Sequence, residues 1–177
     1  MNTAIFLDRD GVINQPILRN GLNKPIAPWS MDEFKLCEGI KNPLKQLANN
    51  KYRLFVVTNQ PDISKEIIDA SLVEKMNEII RDTLPVDEIA YCPHEDYHEC
   101  NCRKPKPGMI LELSDKWNID LEKSFMIGDG WKDIKAGKSA GCKTILLDRN
   151  YNKGVSTDYH VKSLAEAVKI VKGGNAL

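Results

Sequence analysis

Short apolar runs alternate with longer helical segments along this chain, and no other feature restricts its fold as strongly. Five runs are rich in apolar or β-branched residues and have the length of buried strands: residues 4–7, 54–58, 88–91, 124–127 and 144–147. Strands that alternate with helices form a parallel sheet, because each connection must cross back over the sheet. We therefore expect an α/β fold: a Rossmann-like three-layer sandwich around a central, mainly parallel sheet.

Apolar residues at helical spacing fill the segments between most of these runs. Four such sets stand out: Ile40, Leu44 and Leu47; Ile68, Leu72, Met76 and Ile79 or Ile80; Met109, Leu111, Leu113 and Trp117; Leu164, Val168 and Val171. The pair Pro107-Gly108 predicts the start of the third of these helices.

The length and charge of the chain restrict its organisation and its partners. Its 177 residues, 42% of them apolar, predict one domain covering residues 1–177. Too few residues separate Gly11 from the second strand for a cap domain, so we expect a capless site covered by loops such as residues 19–30. The formal net charge is zero, which disfavours nucleic acid and anionic membranes as partners. No apolar run reaches membrane-spanning length, and we expect a cytoplasmic protein.

Asp8 and Asp10 follow the first apolar run directly and form the first chemical signal. Two carboxylates this close together at the end of a buried strand are costly unless a partner balances their charge. Mg²⁺ is the natural partner, because it prefers carboxylate and carbonyl oxygens and also binds phosphate. The pair therefore predicts a magnesium site for phosphate chemistry.

Polar residues also follow two other strands and precede one helix. Thr58-Asn59-Gln60 ends the second strand, Gly128-Asp129 ends the fourth, and Arg103-Lys104 comes shortly before a helix. Ligands of open parallel sheets bind beyond the carboxyl ends of the strands. We therefore expect these groups to meet Asp8 and Asp10 at one edge of the sheet.

This order of residues resembles the haloacid dehalogenase superfamily of phosphatases, and the resemblance covers nearly the whole chain. It implies that Asp8 attacks phosphorus and becomes an aspartyl phosphate, while Asp10 protonates the leaving alcohol and then activates water. It further implies that Asp8, Asp129 and the backbone carbonyl of Asp10 hold Mg²⁺, and that Lys104 and Thr58 bind the phosphoryl oxygens.

Three cysteines and one histidine lie within eleven positions, a spacing typical of a metal site: Cys92, His94, Cys100 and Cys102. Three thiolates and an imidazole form a closed tetrahedral Zn²⁺ site, which is structural because it has no open coordination position. His98 lies in the same loop and is an alternative ligand to His94. Cys37 and Cys142 are expected to be small buried thiols.

The cysteine loop and the Arg-Lys-Pro segment after it resemble the D-glycero-D-manno-heptose 1,7-bisphosphate 7-phosphatases, and the histidinol-phosphate phosphatases share this loop. The resemblance implies a small phosphorylated sugar substrate on the way to nucleotide-activated heptose for surface polysaccharide, and a monomeric enzyme. We expect Arg103 to bind a second phosphate, since a guanidinium binds oxyanions bidentately. Asn59 and Gln60 are further candidate substrate contacts.

Two positions depart from the pattern of the heptose enzymes, and both fall where substrate would bind. Pro61-Asp62 follows Gln60 in place of a Ser-Gly pair, and Gly130 stands where a lysine is common. Histidinol phosphate or another small sugar phosphate therefore remains an alternative substrate. Asp133 lies in the first turn of the next helix, where the helix dipole alone favours an acidic residue, so we expect it to be scaffold, with support of another site residue as the alternative. Trp29 and Trp131 fit either the pocket or the core.

Two functions without enzymatic turnover also fit parts of the sequence. A phosphoryl-accepting signalling domain uses Mg²⁺ and an aspartate on a similar sheet, but its accepting aspartate comes after its acidic metal pair. A zinc-dependent nucleic-acid-binding module conflicts with the zero net charge and the lack of a basic, aromatic surface pattern. A phosphatase accounts for more of the pattern than either alternative.

Overall fold

Six strands and five helices make up the described part of this computed structural model, which covers residues 1–19 and 25–173. The strands are β1 (Thr3–Leu7), β2 (Tyr52–Asn59), β3 (Glu88–Cys92), β4 (Phe125–Gly128), β5 (Lys143–Leu147) and β6 (Tyr159–Val161). The helices are α1 (Lys41–Asn49), α2 (Ala70–Thr83), α3 (Gly108–Trp117), α4 (Trp131–Ala140) and α5 (Leu164–Val171). Short 3₁₀ turns cover Asp96–His98 and Leu121–Lys123.

The sheet has the strand order β3-β2-β1-β4-β5-β6, and all of its strand pairs are parallel. The chain winds outward from β1 in one direction through β3, then returns to the centre and winds outward from β4 in the other direction. The strand order thus reverses between β1 and β4, and a crevice opens there at the carboxyl ends of both strands.

Side chains of β1 alternate between the two faces of the sheet and so connect its two hydrophobic layers. Ile5 and Leu7 belong to the layer formed with α1, α2 and α5, whereas Ala4 and Phe6 belong to the layer formed with α3 and α4. All four side chains are fully buried. The structure confirms the expected three-layer α/β sandwich. Asp8 follows β1 directly, at a buried position.

The predicted helices are confirmed, with differences in detail. In α2 the buried side chains include Met76 and Ile80, whereas Ile79 is partly exposed and Ile68 lies just before the helix. β6 was not expected from the sequence. It has only three residues, so too few side chains alternate for a period of two to be recognised.

Loops cover the crevice. In the described residues between β1 and α1, the backbone forms only turns and isolated bridges, such as the bridge from Ile17 to Ile26. This agrees with the expectation of a capless fold, although residues 20–24 of the expected covering loop lie outside the described residues. None of the described helices is both long and apolar enough to cross a membrane.

Candidate active site

A cavity of about 390 Å³ opens at the carboxyl ends of β1, β2 and β4. Most of the predicted site residues line it: Asp8, Asp10, Thr58, Asn59, Arg103, Lys104 and Asp129. The structure thus brings together side chains from both halves of the sheet, as expected for an open parallel sheet.

Lys104 is the central cation of the site and is only 3% exposed. Its Nζ lies 2.6 Å from Asp8 Oδ1 and 2.5 Å from Asp133 Oδ1, and it donates a third hydrogen bond of 2.7 Å to the carbonyl of Val57. Burial by itself lowers the pKa of Lys104, but Asp133 and Asp8 outweigh this effect and raise it. The side chain therefore keeps its positive charge beside Asp8 at neutral pH.

Three carboxylates surround one point beside this ammonium group. Oxygens of Asp8, Asp129 and Asp133 all lie within 4.8 Å of one another, and all three residues are buried. Burial, with the neighbouring charge of Asp133, raises the pKa of Asp8 well above its ordinary value and that of Asp129 to about 6. A divalent cation between these oxygens would favour their charged forms.

The charges at this edge of the sheet suit a divalent cation. Three buried carboxylates face one buried cation there: Asp8, Asp129 and Asp133 against Lys104. The excess is two negative charges, which one divalent ion would neutralise. Oxygen donors of this kind suit Mg²⁺ in particular.

Asp133 combines the two roles that the sequence left open, scaffold and support of another site residue. Its Oδ2 accepts a hydrogen bond of 2.9 Å from the backbone N–H of Gly130, as an acidic residue in a first helical turn commonly does. Its other oxygen, Oδ1, binds Lys104. The same carboxylate therefore caps α4 and helps hold the central cation.

The carboxylate of Asp10 has a different set of partners from that of Asp8. Gln60 Nε2 donates to it over 2.7 Å and Asn14 Nδ2 over 3.0 Å, and the buried guanidinium of Arg9 lies 3.3 Å away. The Thr58 hydroxyl lies 3.5 Å from its second oxygen. Asp10 is thus held apart from Lys104, with its side chain at the cavity wall.

Asn59 and Gln60 lie differently from the expected substrate contacts. Gln60 is fully buried, and its amide binds Asp10 and Thr58, so it positions two site residues and cannot reach the cavity. Asn59 borders the cavity, but its side-chain amide pairs with both backbone groups of Lys104, at 2.9 and 3.0 Å. Both side chains are therefore engaged by the protein itself.

Gly11 permits the close approach of β1 to Asp129. Its φ of +97° lies in the region that favours glycine, and a Cβ atom there would lie 2.0 Å from Asp129 Oδ2. The pair Asp10-Gly11, shortly after β1, thus leaves room for the carboxylate of Asp129, which follows β4, to reach the site.

Tyr151 and Asn152, which sequence reasoning missed, complete the surroundings of Asp129. The Tyr151 hydroxyl donates a short hydrogen bond to Asp129 Oδ2. Asn152 Nδ2 donates to the backbone carbonyls of Asp129 and Leu147, at 2.9 and 2.7 Å. These residues follow β5, so the rule that ligands bind beyond strand ends is the signal that could have indicated them.

The predicted metal-binding loop brings its four ligands together. Sulfur atoms of Cys92, Cys100 and Cys102 lie 3.1–3.6 Å apart, and His94 Nδ1 lies 3.4 Å from Cys102 Sγ. Burial raises the pKa of the Cys92 thiol, whereas a metal cation would favour its thiolate. The alternative ligand His98 instead accepts a hydrogen bond from the backbone of Glu95.

Arg103 follows Cys102 of this loop in sequence and lines the cavity. Its Nε lies 2.7 Å from Asp96 Oδ1, and its NH1 donates over 2.9 Å to the carbonyl of His94. Lys65 and Lys132 line the same cavity. The outer part of the cavity therefore carries three cations in addition to Lys104.

Asp62, one of the positions that depart from the pattern of the heptose enzymes, connects two of the loops that cover the cavity. Asp62 is 7% exposed and accepts hydrogen bonds of 2.9 Å from Trp29 Nε1 and 3.0 Å from Lys65 Nζ. This contact fastens the loop after β1 to the loop after β2. Trp131 lines the cavity and is 52% exposed, so it belongs to the pocket rather than the core.

Comparison with known proteins gives consistent matches along the chain. The haloacid dehalogenase-like hydrolase family matches residues 22–147. The D-glycero-beta-D-manno-heptose-1,7-bisphosphate 7-phosphatase of Pasteurella multocida is 36% identical over 98% of each chain. The D-glycero-alpha-D-manno-heptose-1,7-bisphosphate 7-phosphatase of Campylobacter jejuni is 32% identical over 96% of this chain and 95% of its own.

A solved structure shows the same arrangement of the chain. The D,D-heptose 1,7-bisphosphate phosphatase from B. bronchiseptica, complexed with magnesium and phosphate, has a TM-score of 0.82 and 26% identity. The match covers 97% of this chain and 98% of that one. The similarity thus extends over both halves of the sheet and over the loops at its edge.

Proposed function

Because the chain belongs to the haloacid dehalogenase-like hydrolase family, we propose that it is a magnesium-dependent phosphomonoesterase in which Asp8 is the nucleophile. The observation that carries this proposal is the placement of Lys104 Nζ against Asp8, with Asp129 and Asp133 beside them at the cavity. Asp8, Asp129 and the backbone carbonyl of Asp10 would hold Mg²⁺, which when bound orients a phosphoryl group and reduces its negative charge.

In the first step, a carboxylate oxygen of Asp8 forms a bond to phosphorus as the bond from phosphorus to the substrate oxygen breaks. Asp10 donates its proton to that leaving oxygen, which departs as an alcohol and leaves an aspartyl phosphate. Lys104 stabilises charge on the phosphoryl oxygens, and Thr58 can donate its hydroxyl to one of them. The separate hydrogen-bond partners of Asp10 support its different role.

In the second step, a water molecule attacks the phosphorus of the aspartyl phosphate. Asp10, now a carboxylate, accepts a proton from this water, and the bond between phosphorus and Asp8 breaks. Inorganic phosphate is released, Asp8 returns to its carboxylate form and Asp10 is protonated again. The cycle therefore needs no redox partner and only one proton donor.

We propose that the substrate is D-glycero-D-manno-heptose 1,7-bisphosphate, which loses its 7-phosphate in the biosynthesis of nucleotide-activated heptose. The names of the relatives support this substrate, and the cations at the outer cavity suit a second phosphate. Arg103 is the proposed main contact of that phosphate, because the metal-binding loop and Asp96 hold its guanidinium at the cavity.

We also propose that Cys92, His94, Cys100 and Cys102 bind a structural Zn²⁺. Four soft donors within 4.8 Å of one another suit a closed tetrahedral site. The ion would hold the segment that presents Arg103 and Lys104. The whole chain is proposed to act as one cytoplasmic domain. It is also proposed to be a monomer, and light scattering after size-exclusion chromatography would test this oligomeric state.

The test of the proposed function is phosphate release over a panel of substrates. It contains both anomers of heptose 1,7-bisphosphate, histidinol phosphate and simple sugar monophosphates, each with and without Mg²⁺. We expect the highest kcat/KM for one heptose bisphosphate, and phosphorus NMR should show that the 1-phosphate is retained. A higher kcat/KM for histidinol phosphate would replace the proposed substrate, and no release from any ester would reject the phosphatase.

Asp8→Asn should lower kcat by about 10⁴-fold or more, because an amide cannot form the aspartyl phosphate. Asp115→Asn is the matched control, since Asp115 is exposed on α3 and does not line the cavity. Equal activity of the Asp8 variant and the wild type would reject Asp8 as the nucleophile.

A further inference from the structure

Asp129 differs from its two neighbours in the kind of group that binds its side chain. Asp8 and Asp133 share the ammonium group of Lys104. In the part of the chain that the structure describes, the Asp129 carboxylate forms no ion pair, and its hydrogen bond comes from the neutral hydroxyl of Tyr151. Among the described residues, no ammonium or guanidinium group therefore competes with a cation for the Asp129 carboxylate.

The hydroxyl of Tyr151 binds one carboxylate oxygen only. It donates to Asp129 Oδ2, and Oδ1 has no hydrogen-bond partner among residues 1–19 and 25–173. A carboxylate ligand whose second oxygen is held by a donor keeps one orientation, which improves its affinity for metal. Phenol is a suitable donor because it fixes the carboxylate without neutralising it.

The loop that carries Tyr151 is fastened to the ends of two strands. The buried side chain of Asn152 binds the backbone carbonyls of Asp129 and Leu147 and accepts a hydrogen bond of 2.9 Å from the backbone N–H of Arg149. Arg149 NH2 donates over 3.3 Å to the carbonyl of Gly11. These contacts hold the loop after β5 against the segments that follow β1 and β4.

Tyr151 also borders the cavity and is 40% exposed. Its ring is thus part of the wall that substrate would contact, whereas its hydroxyl points to a carboxylate of the cation site. One side chain connects these two parts of the site.

We propose that Tyr151 is a positioning residue that orients Asp129 for Mg²⁺ through its hydroxyl and forms part of the substrate wall through its ring. This inference rests on the proposed function, because it concerns the same cation site. It assigns separate effects to the two parts of the side chain. The hydroxyl determines affinity for Mg²⁺, and the ring determines affinity for the phosphorylated substrate.

The test separates these effects with two variants, Tyr151→Phe and Tyr151→Ala. Isothermal titration calorimetry with Mg²⁺ alone should give a Kd raised about 10-fold or more in both variants, as for other partners of metal ligands. Phosphate release should then require correspondingly more Mg²⁺ for half-maximal rate, and excess Mg²⁺ should restore most of the lost turnover. At that excess, only Tyr151→Ala should show a raised substrate KM.

Tyr159→Phe is the matched control, because it removes a hydroxyl from the neighbouring strand β6 that forms no hydrogen bond with a described residue. It should keep the wild-type Kd for Mg²⁺. A Tyr151→Phe variant with the wild-type Kd would overturn the inference, even if Tyr151→Ala raised KM. Wild-type protein that binds no Mg²⁺ and releases no phosphate would instead reject the proposed function itself.

Discussion

Lys104 uses each of its three N–H donors for a different acceptor at the end of the sheet. Two are carboxylates, Asp8 and Asp133, and the third is the backbone carbonyl of Val57. A compact ammonium group can reach all three, whereas a planar guanidinium directs its donors differently. The side chain thus has a structural role in addition to its proposed contact with phosphate.

Replacing Lys104 with methionine should therefore destabilise the protein as well as inactivate it. The variant leaves two buried carboxylates without their cation, and the expected loss is about 3 to 5 kcal/mol in the free energy of unfolding. Urea unfolding without added Mg²⁺ measures this loss. Lys75→Met, on the exposed side of α2, should change the value by less than about 0.5 kcal/mol. Equal stability of the two variants would contradict this account.

Alanine variants of Gly11 and Gly39 separate the effect of backbone strain from the effect of steric crowding at the site. Both have positive φ, +97° and +69°, but only at Gly11 would a Cβ meet another group, the carboxylate of Asp129. Gly11→Ala should lower kcat about 100-fold, because a shift of about 1 Å in a site residue has effects of this size. Gly39→Ala should cost about 1 to 2 kcal/mol of stability and leave kcat unchanged. Steady-state kinetics and urea unfolding of both variants test this difference.

Helix α4 packs closely on the sheet and begins at the site. Its first turn contains Asp133, and its buried face packs on β4 and β5 through Gly137. A Cβ at Gly137 would lie 2.5 Å from Met126 Cβ and 3.0 Å from a methyl carbon of Thr144. Because Gly137 has no side chain, α4 can pack this closely on the sheet and hold Asp133 beside Lys104.

Gly137→Ala should therefore destabilise the protein, although alanine is the better helix former. The gain in helix propensity is about 1 kcal/mol, but overpacking against a strand costs about 1 to 3 kcal/mol. Because the added Cβ would lie 2.5 Å from Met126 Cβ, we expect a cost of about 2 to 3 kcal/mol and hence a net loss of about 1 to 2 kcal/mol. Ser139→Ala changes an exposed position of the same helix and should be neutral or slightly stabilising. Thermal unfolding measures both, and a stabilised Gly137 variant would show that the packing can relax.

The sequence predicted those site residues that lie at recognisable strand ends. Asp8 and Asp129 follow strong apolar runs, so their meeting at one edge followed from the parallel sheet alone. The direction of the Gln60 side chain could not be predicted, because a residue just beyond a strand no longer follows the alternation of the strand. Tyr151 was missed because its loop belongs to no motif and leads to the three-residue strand β6.

Across the whole molecule, one long loop connects the four metal-binding side chains to the central cation. Residues 93–107 lie between β3 and α3 and contain only one short 3₁₀ turn, Asp96–His98. The proposed ion would hold the loop at Cys92, His94, Cys100 and Cys102, and the side chain of Asn59 holds it at Lys104. With so little regular structure of its own, the loop takes its shape from these attachments together with others, such as the hydrogen bond of 2.6 Å from Ser64 Oγ to the carbonyl of Pro93.

Loss of the proposed Zn²⁺ should consequently affect both stability and activity. We expect one zinc per chain by elemental analysis of protein purified without chelator, and loss of that zinc in Cys100→Ser. If the site contributes about 3 kcal/mol, the melting temperature of this variant should fall by about 6 to 12 °C. Its kcat should fall too, because Lys104 and Arg103 would lose their fixed positions.

Cys37→Ser is the matched control for this prediction, since Cys37 is a partly buried cysteine outside the metal-binding cluster. It should keep its zinc and its kcat, with at most a small change in melting temperature. Calorimetric melting and phosphate release with saturating Mg²⁺ distinguish the two variants, because added Mg²⁺ cannot replace an ion bound by thiolates. Wild-type protein without zinc, or a Cys100 variant with unchanged melting and turnover, would show that the loop holds Lys104 in place without a metal.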